Sequence, residues 1–145
     1  MSEPRYPGRF NHVAMSMAPE ALDAKNRADI TAFYAEVFGW QEHPTMTEDR
    51  KRLVMGVQSY DQFVFLIAED EPMKAPRLDH FGLSVDTLDE LHEVIARAKA
   101  YAERDDRVDI IDYDVEDHGM IKLHNFYVGF LLPMMVEVQC FELVS

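Results

Sequence analysis

The chain has 145 residues, and 14 Lys and Arg side chains stand against 27 Asp and Glu, so its formal net charge is −13. This length allows one domain that buries roughly two-thirds of its unfolded surface, and it is short for two domains. The negative charge repels nucleic acid phosphates and anionic membrane surfaces, so we expect neither as a partner.

Cysteine content and apolar runs predict a cytoplasmic protein. Cys140 is the single cysteine, which excludes an intrachain disulfide and a thiolate metal cluster and favours a reducing compartment. The first eight residues are polar and contain two prolines, without the apolar core of a signal peptide. The longest apolar run, residues 126–136, is shorter than the ~20 residues of a membrane span.

An eight-residue pattern occurs twice in the chain. Residues 10–17 and, 68 residues later, residues 78–85 share the order apolar, short polar, His, apolar, small, apolar, Ser, apolar. Alternation with a period of two predicts a β-strand. One face of each strand would be apolar, and the other would carry His12 or His80 with a small residue and a serine.

The segments after the two octets also correspond. After the first, apolar residues at helical spacing and Gly39 predict a helix over about residues 28–38. After the second, Thr87 and Glu90 form a capping box that opens an apolar helical stripe. The order βαβββ therefore occurs twice. Each helix precedes three β-like runs, at about 40–44, 52–57 and 62–68 in the first half and about 108–115, 121–130 and 134–143 in the second.

We expect an α+β fold in which two βαβββ modules, about residues 9–70 and 77–145, form cupped mixed sheets around a central cavity. A charged linker with prolines, residues 70–76, joins the modules. We predict a single domain over residues 1–145, because each half offers one sheet and one helix and gains most by sharing a core. The apolar strand faces should pack on the helices, and the His-bearing faces should line the cavity.

Three side chains are candidate ligands of one metal ion. Glu137 interrupts an apolar final strand, where an unpaired carboxylate is costly, and strand parity points His12 and His80 away from the helices. Two imidazoles and one carboxylate leave positions open for substrate and O₂, as in non-heme Fe(II) oxygenases, and Zn, Mn and Ni accept such ligands too. The alternatives are ordinary core or surface histidines and, for Glu137, a partner such as Arg9 or Lys122 on a neighbouring strand.

These features resemble the vicinal oxygen chelate superfamily, which includes glyoxalase I, methylmalonyl-CoA epimerase, extradiol dioxygenases and bleomycin-resistance proteins. The resemblance covers nearly the whole chain. It implies that the paired βαβββ modules form cupped sheets. It also implies that the metal ligands lie on the first and last strands of modules, at positions that match His12, His80 and Glu137.

The resemblance to individual subgroups points in two directions. Glyoxalase- and epimerase-like members carry a fourth ligand, Glu or Gln, on the last strand of the first module, where this chain has Phe65, with Gln62 as a remote candidate. His118 with the following glycine, and Tyr127, lie 19 and 10 residues before Glu137 and resemble the His-Gly and Tyr of extradiol dioxygenases.

That second resemblance implies roles for two side chains. Tyr127 would hydrogen-bond a substrate oxygen, and His118 would position substrate or move a proton. The alternatives are a core aromatic for Tyr127 and a loop residue for His118, and His124 competes as a pocket histidine. Residues 131–134 replace the Asp-Pro-x-Gly turn of many members, which weakens a dioxygenase assignment.

We therefore expect a metal-dependent enzyme with one divalent ion, Fe(II) first and Zn, Mn or Ni as alternatives. An extradiol-type ring-cleaving dioxygenase is the leading interpretation. The alternatives are a glyoxalase- or epimerase-like lyase or isomerase, and a non-enzymatic binding protein of the bleomycin-resistance kind. The substrate would be a small molecule. Exposed edge strands and the apolar residues 131–135 favour a homodimer.

Overall fold

The structure, a computed structural model, describes residues 2–3 and 5–144 and contains two modules of the same element order. The first module contains β1 (His12–Met17), a short 3₁₀ helix (Pro19–Leu22), α1 (Ala24–Phe38), β2 (Gln41–Glu42), β3 (Arg52–Gly56) and β4 (Phe63–Ala68). The second contains β5 (His80–Ser84), α2 (Leu88–Ala102), β6 (Asp109–Asp117), β7 (Ile121–Gly129) and β8 (Met135–Leu143).

Each module forms its own four-stranded sheet. The strand orders are β1-β4-β3-β2 and β5-β8-β7-β6, so the two sheets have the same topology. In both, the first strand pairs in parallel with the last, and the other pairs are antiparallel. The predicted α+β fold with two mixed sheets is therefore confirmed. Among the described residues no strand pairing joins the sheets, and both remain open.

Local sequence signals explain where the helices begin and end. Helix α1 begins at Ala24, four residues before the predicted start, because the side chain of Asp23 accepts a hydrogen bond from the backbone N–H of Asn26 at 2.9 Å. Gly39 ends the helix in the left-handed region, with φ of 75°. The capping box of Thr87 and Glu90 is present at the start of α2. These polar contacts satisfy helix-end N–H groups that have no partner inside the helix.

Both modules contribute to one hydrophobic core. Helix α1 buries Phe33 and Tyr34 fully. The Phe33 ring stacks on Phe130 of the second module at 4.4 Å, and the buried Tyr34 hydroxyl donates to the Phe130 carbonyl at 2.9 Å. The core therefore lies between the helix-facing sides of the two sheets.

The position of the core determines which strand faces remain open. Val13, Met15 and Met17 of β1 pack toward the core, whereas the opposite parity, which begins with His12, faces away from it. The same holds for β8, where Val136, Val138 and Cys140 are core residues. We call the side of the second sheet that faces away from the core its cup face, and this side carries His80. The corresponding side of the first sheet carries His12.

Two details differ from the prediction. Strand β2 contains only Gln41 and Glu42, because Trp40 is buried against Tyr34 instead of continuing the strand. Leu131, Leu132 and Met134, part of the apolar segment that was expected to favour a homodimer, are partly buried against the chain's own core. The described part of the chain contains no helix that is long and apolar enough to cross a membrane.

Candidate metal centre

Two of the three expected ligands lie together on the cup face of the second sheet. Strands β5 and β8 run parallel, and their register brings His80 beside Glu137, with 3.6 Å between Nε2 and Oε1. The Glu137 side chain is almost fully buried, whereas that of His80 is about one-third exposed. Gly82 is the register partner of Glu137 and places no side chain over it. The pair is thus accessible from one side only.

The hydrogen bonding of His80 leaves its Nε2 free for a cation. Nδ1 lies 2.8 Å from the carbonyl oxygen of Leu78, and since a carbonyl only accepts, Nδ1 carries the proton. In the neutral ring Nε2 is then a bare lone pair. That lone pair faces the Glu137 carboxylate across 3.6 Å, an arrangement that favours a bound cation between the two atoms.

Tyr127 and Gln139 complete the surroundings of the carboxylate. Tyr127 is the register partner of Glu137 on β7, and its ring meets the His80 ring edge to face at 5.0 Å. Burial, followed by the neighbouring Glu137 carboxylate, raises the pKa of Tyr127 to about 12, so the hydroxyl stays protonated at neutral pH. The Gln139 amide donates to Glu137 Oε1. Gln139 was not predicted, although its position two residues after Glu137 places it on the same face.

His12 has the same kind of orientation but lies on the other sheet. Its ring stacks on Phe63 at 4.7 Å, and Nδ1 is 2.8 Å from the Asn11 amide oxygen, which again leaves Nε2 as the free nitrogen. Within the part of the chain that the structure describes, no three His, Cys, Asp or Glu side chains gather as a metal site. One chain therefore holds a pair, His80 and Glu137, and a separate His12.

The predicted partners of Glu137 do not reach it. Arg9 pairs with Asp61. Lys122 is the register partner of Glu142, so its side chain lies on the face of the sheet opposite to that of Glu137. The alternative that Arg9 or Lys122 neutralises Glu137 is therefore wrong.

The other predicted site residues lie elsewhere. His118 is in the β6–β7 turn, where its exposed ring lies 3.9 Å from Glu116. The nearby start of β7, Ile121, lies six residues from Tyr127, which corresponds to about 20 Å of strand. His124 is buried, and its Nδ1 lies 2.6 Å from the Tyr113 hydroxyl. Neither histidine is brought to the pair of His80 and Glu137.

The place of a fourth ligand is occupied by aromatic side chains. Phe63 and Phe65 of β4 are the register partners of His12 and Ala14, and Gln62 precedes the strand. Depressions of about 410 and 320 Å³ occur in the chain, and neither is lined by His80, Tyr127 or Glu137. The pair is open to solvent on the side of His80, whose side chain is about one-third exposed, while Glu137 lies beneath it.

Comparison with known proteins gives matches in structure alone. No protein-family model matches the sequence, and no curated protein does. A lactoylglutathione lyase from Agrobacterium tumefaciens is 19% identical, with a TM-score of 0.63 over 92% of this chain and 94% of that one. A glyoxalase/bleomycin resistance protein/dioxygenase family enzyme from Burkholderia phytofirmans is 12% identical, with a TM-score of 0.61 over 90% of this chain and 96% of that one.

A third solved structure carries a metal ion. It is a fosfomycin resistance protein from Listeria monocytogenes in complex with manganese(II) and sulfate, 15% identical, with a TM-score of 0.60 over 93% of this chain and 90% of that one. All three matches cover nearly the full length of both chains, and their low identity limits the likeness to the fold. The chain therefore has the fold of the glyoxalase/bleomycin resistance/dioxygenase proteins, that is, of the vicinal oxygen chelate superfamily.

Proposed function

We propose that the protein is a metal-dependent enzyme whose metal centre forms between two copies of the chain. His80 and Glu137 of one copy and His12 of the other would hold one divalent ion. The observation that carries the proposal is the pair itself, in which the outward nitrogen of His80, Nε2, lies 3.6 Å from a buried carboxylate oxygen while Nδ1 is held by the Leu78 carbonyl. Manganese(II) in the structurally similar Listeria protein supports a divalent ion.

The division of the ligands between two open faces supports a second copy. His12 and His80 begin β1 and β5, which hold equivalent places in two sheets of the same topology. Each chain thus carries one proposed ligand, His12, on its first sheet and two, His80 and Glu137, on its second sheet. A two-fold dimer that brings the first sheet of one copy against the second sheet of the other would complete two sites at once. It would also cover the half-exposed Phe63 and Phe65 beside His12.

The donor set fits a divalent ion with open positions. When bound, such an ion polarises substrate oxygen atoms and holds them in place. The chain's own residues would do the rest. Gln139 holds one carboxylate oxygen of Glu137, the Leu78 carbonyl fixes the His80 ring, and the protonated Tyr127 hydroxyl donates a hydrogen bond to a substrate oxygen.

As the finer assignment we propose an Fe(II)-dependent extradiol-type dioxygenase in the cytoplasm. Three ligands without a fourth on β4 and a tyrosine beside the carboxylate support it. The proposed role of His118 has less support, because the histidine lies at the far end of the sheet. A lyase or isomerase is the second candidate, which the likeness to a lactoylglutathione lyase favours, and a binding protein that lacks a metal is the third.

Metal content tests the proposal. We expect near-stoichiometric metal in protein purified without a histidine tag, and its loss in His12→Ala, His80→Ala and Glu137→Ala. His92→Ala, at an exposed histidine of α2 that contacts Tyr113 and none of the proposed ligands, is the matched control and should keep its metal. Iron, with oxygen consumption on catechols, would support the dioxygenase. Zinc, nickel or manganese would favour the lyase or isomerase. No uptake after anaerobic Fe(II) loading would contradict both enzyme proposals.

A further inference from the structure

One row of side chains on the cup face of the second sheet is polar on all four strands. Ser84, Gln139, Asn125 and Asp114 are successive register partners on β5, β8, β7 and β6. Register partners share a face, so these four side chains lie on the side that carries Glu137. They form the polar row, which is adjacent to the row that contains Glu137 and Tyr127.

Asn125 has no structural partner that explains its place in this row. It is only 7% exposed, and its side chain makes no hydrogen bond to the described residues. Burial of an amide without a partner is unfavourable. Among the described side chains, His124 Nε2 is the one N or O atom that is fully enclosed and has no hydrogen-bond partner. The Asn125 amide lacks a partner too, so it must keep some access to solvent. Asn125 therefore directs an unused amide into the space above the cup face.

The charge of this surface indicates which ligands it accepts. Asp114 is exposed and has no ion pair among the described residues, and Glu116 follows it on the same face. With Glu137 these make three carboxylates that have no Lys or Arg partner among the described residues, whereas the fourth on this face, Asp109, pairs with Arg77. A cationic group gains from such a field and an anionic group is repelled.

We propose that the polar row binds a cationic amine on the substrate, at the end away from the oxygen atoms that the proposed metal ion would hold. The inference rests on the proposed function. Asn125 is two residues from Tyr127 on β7, a separation of about 7 Å along the strand. The amine would donate to the Asn125 amide oxygen and the Asp114 carboxylate. Beyond the row, the register partners Leu123, half-buried, and Phe141, 56% exposed, offer an apolar surface to the rest of the substrate.

Three catechols with the same chelating head test the amine. They are 4-(2-aminoethyl)catechol, 4-ethylcatechol and 3-(3,4-dihydroxyphenyl)propionate, titrated calorimetrically into protein loaded with zinc, which does not turn them over. We expect the amine to bind about tenfold more tightly than the neutral compound and the carboxylate to bind most weakly. Asp114→Asn should reduce the advantage of the amine to about threefold or less at unchanged zinc content.

A control and the outcomes separate this inference from the proposed function. Asp112→Asn, on the same strand but paired with Lys99, should keep the preference for the amine. Equal affinity for all three catechols, or a preference that survives Asp114→Asn, would overturn the polar row as an amine site and leave the metal centre standing. If the protein binds zinc but none of the catechols, the oxygen-chelating function fails together with this inference. If it takes up no zinc, the metal centre itself fails.

Discussion

The tautomers of His12 and His80 show how much of the site depends on single hydrogen bonds. In both rings Nδ1 donates to a nearby oxygen, the Asn11 amide and the Leu78 carbonyl, and Nε2 remains free. Such contacts fix ring orientation and basicity in metal sites. The sequence places a short polar residue directly before each histidine, but the hydrogen-bonding partner differs between the two modules. It is the preceding side chain for His12 and a backbone carbonyl two residues earlier for His80. The residue types were therefore predictable, and the contacts that orient them were not.

Metal should stabilise the fold through these ligands. At a free concentration 100 times the dissociation constant, Zn(II) or Fe(II) should raise the free energy of unfolding by about 2.7 kcal/mol. Thermal denaturation with and without metal measures this gain. Glu137→Gln and His80→Ala should lose it, whereas His92→Ala should keep it. An equal gain in all four proteins would mean that the metal binds elsewhere.

The Tyr127 hydroxyl gives a second prediction at this scale. Because burial and the Glu137 carboxylate raise the pKa of Tyr127 to about 12, the hydroxyl is protonated at neutral pH and can donate a hydrogen bond there. Tyr127→Phe should keep metal content and fold, since the ring can still contact His80. Turnover of the substrate should fall by about 100-fold. A kcat equal to that of the wild type would contradict a role for the hydroxyl.

Cys140 tests the burial of the core face of β8. The side chain is 3% exposed, and burial raises the pKa of its thiol. We expect no reaction with a thiol reagent in the folded protein and one equivalent after unfolding, because reaction requires an accessible thiolate. Rapid labelling of the folded protein would show that the end of β8 does not pack as described.

At the scale of elements, the sequence predicted the positions of most strands and helices. Alternating octets identified β1 and β5, and the capping box identified the start of α2. Strand β2 was predicted too long, because alternation at Trp40 is equally compatible with a core aromatic, and tertiary packing decided the outcome. The 3₁₀ helix before α1 has only four residues and too short a pattern to be recognised.

The start of α2 allows a test at this scale. The Thr87 hydroxyl accepts from the Glu90 backbone N–H at 3.1 Å. Thr87→Ala should therefore lower the free energy of unfolding by about 1 kcal/mol, and Thr87→Ser should recover most of that loss. Chemical denaturation measures both values. An alanine variant as stable as the wild type would show that the capping box contributes little here.

At the scale of the whole molecule, the duplication explains both what was predicted and what was missed. Equivalent positions in two modules predicted His12 and His80 as a pair of ligands, and a lone carboxylate in an apolar strand added Glu137 to the predicted set. Sequence periodicity says which face of a strand a residue occupies, but it does not say which faces meet. Here the helix-facing sides share one core, so His12 and the pair of His80 and Glu137 lie on separate open faces. A second copy of the chain is the partner we propose for them.

Complementation between two inactive variants tests this division of the ligands most directly. His12→Ala and Glu137→Ala, each alone, should bind no metal. In a co-expressed mixture, half of the dimers are hybrids and each hybrid has one intact site, so we expect about one ion per four chains. The hybrid, isolated by two different tags and freed of them, should hold about one ion per dimer. Metal-free hybrids would contradict a centre shared between two copies.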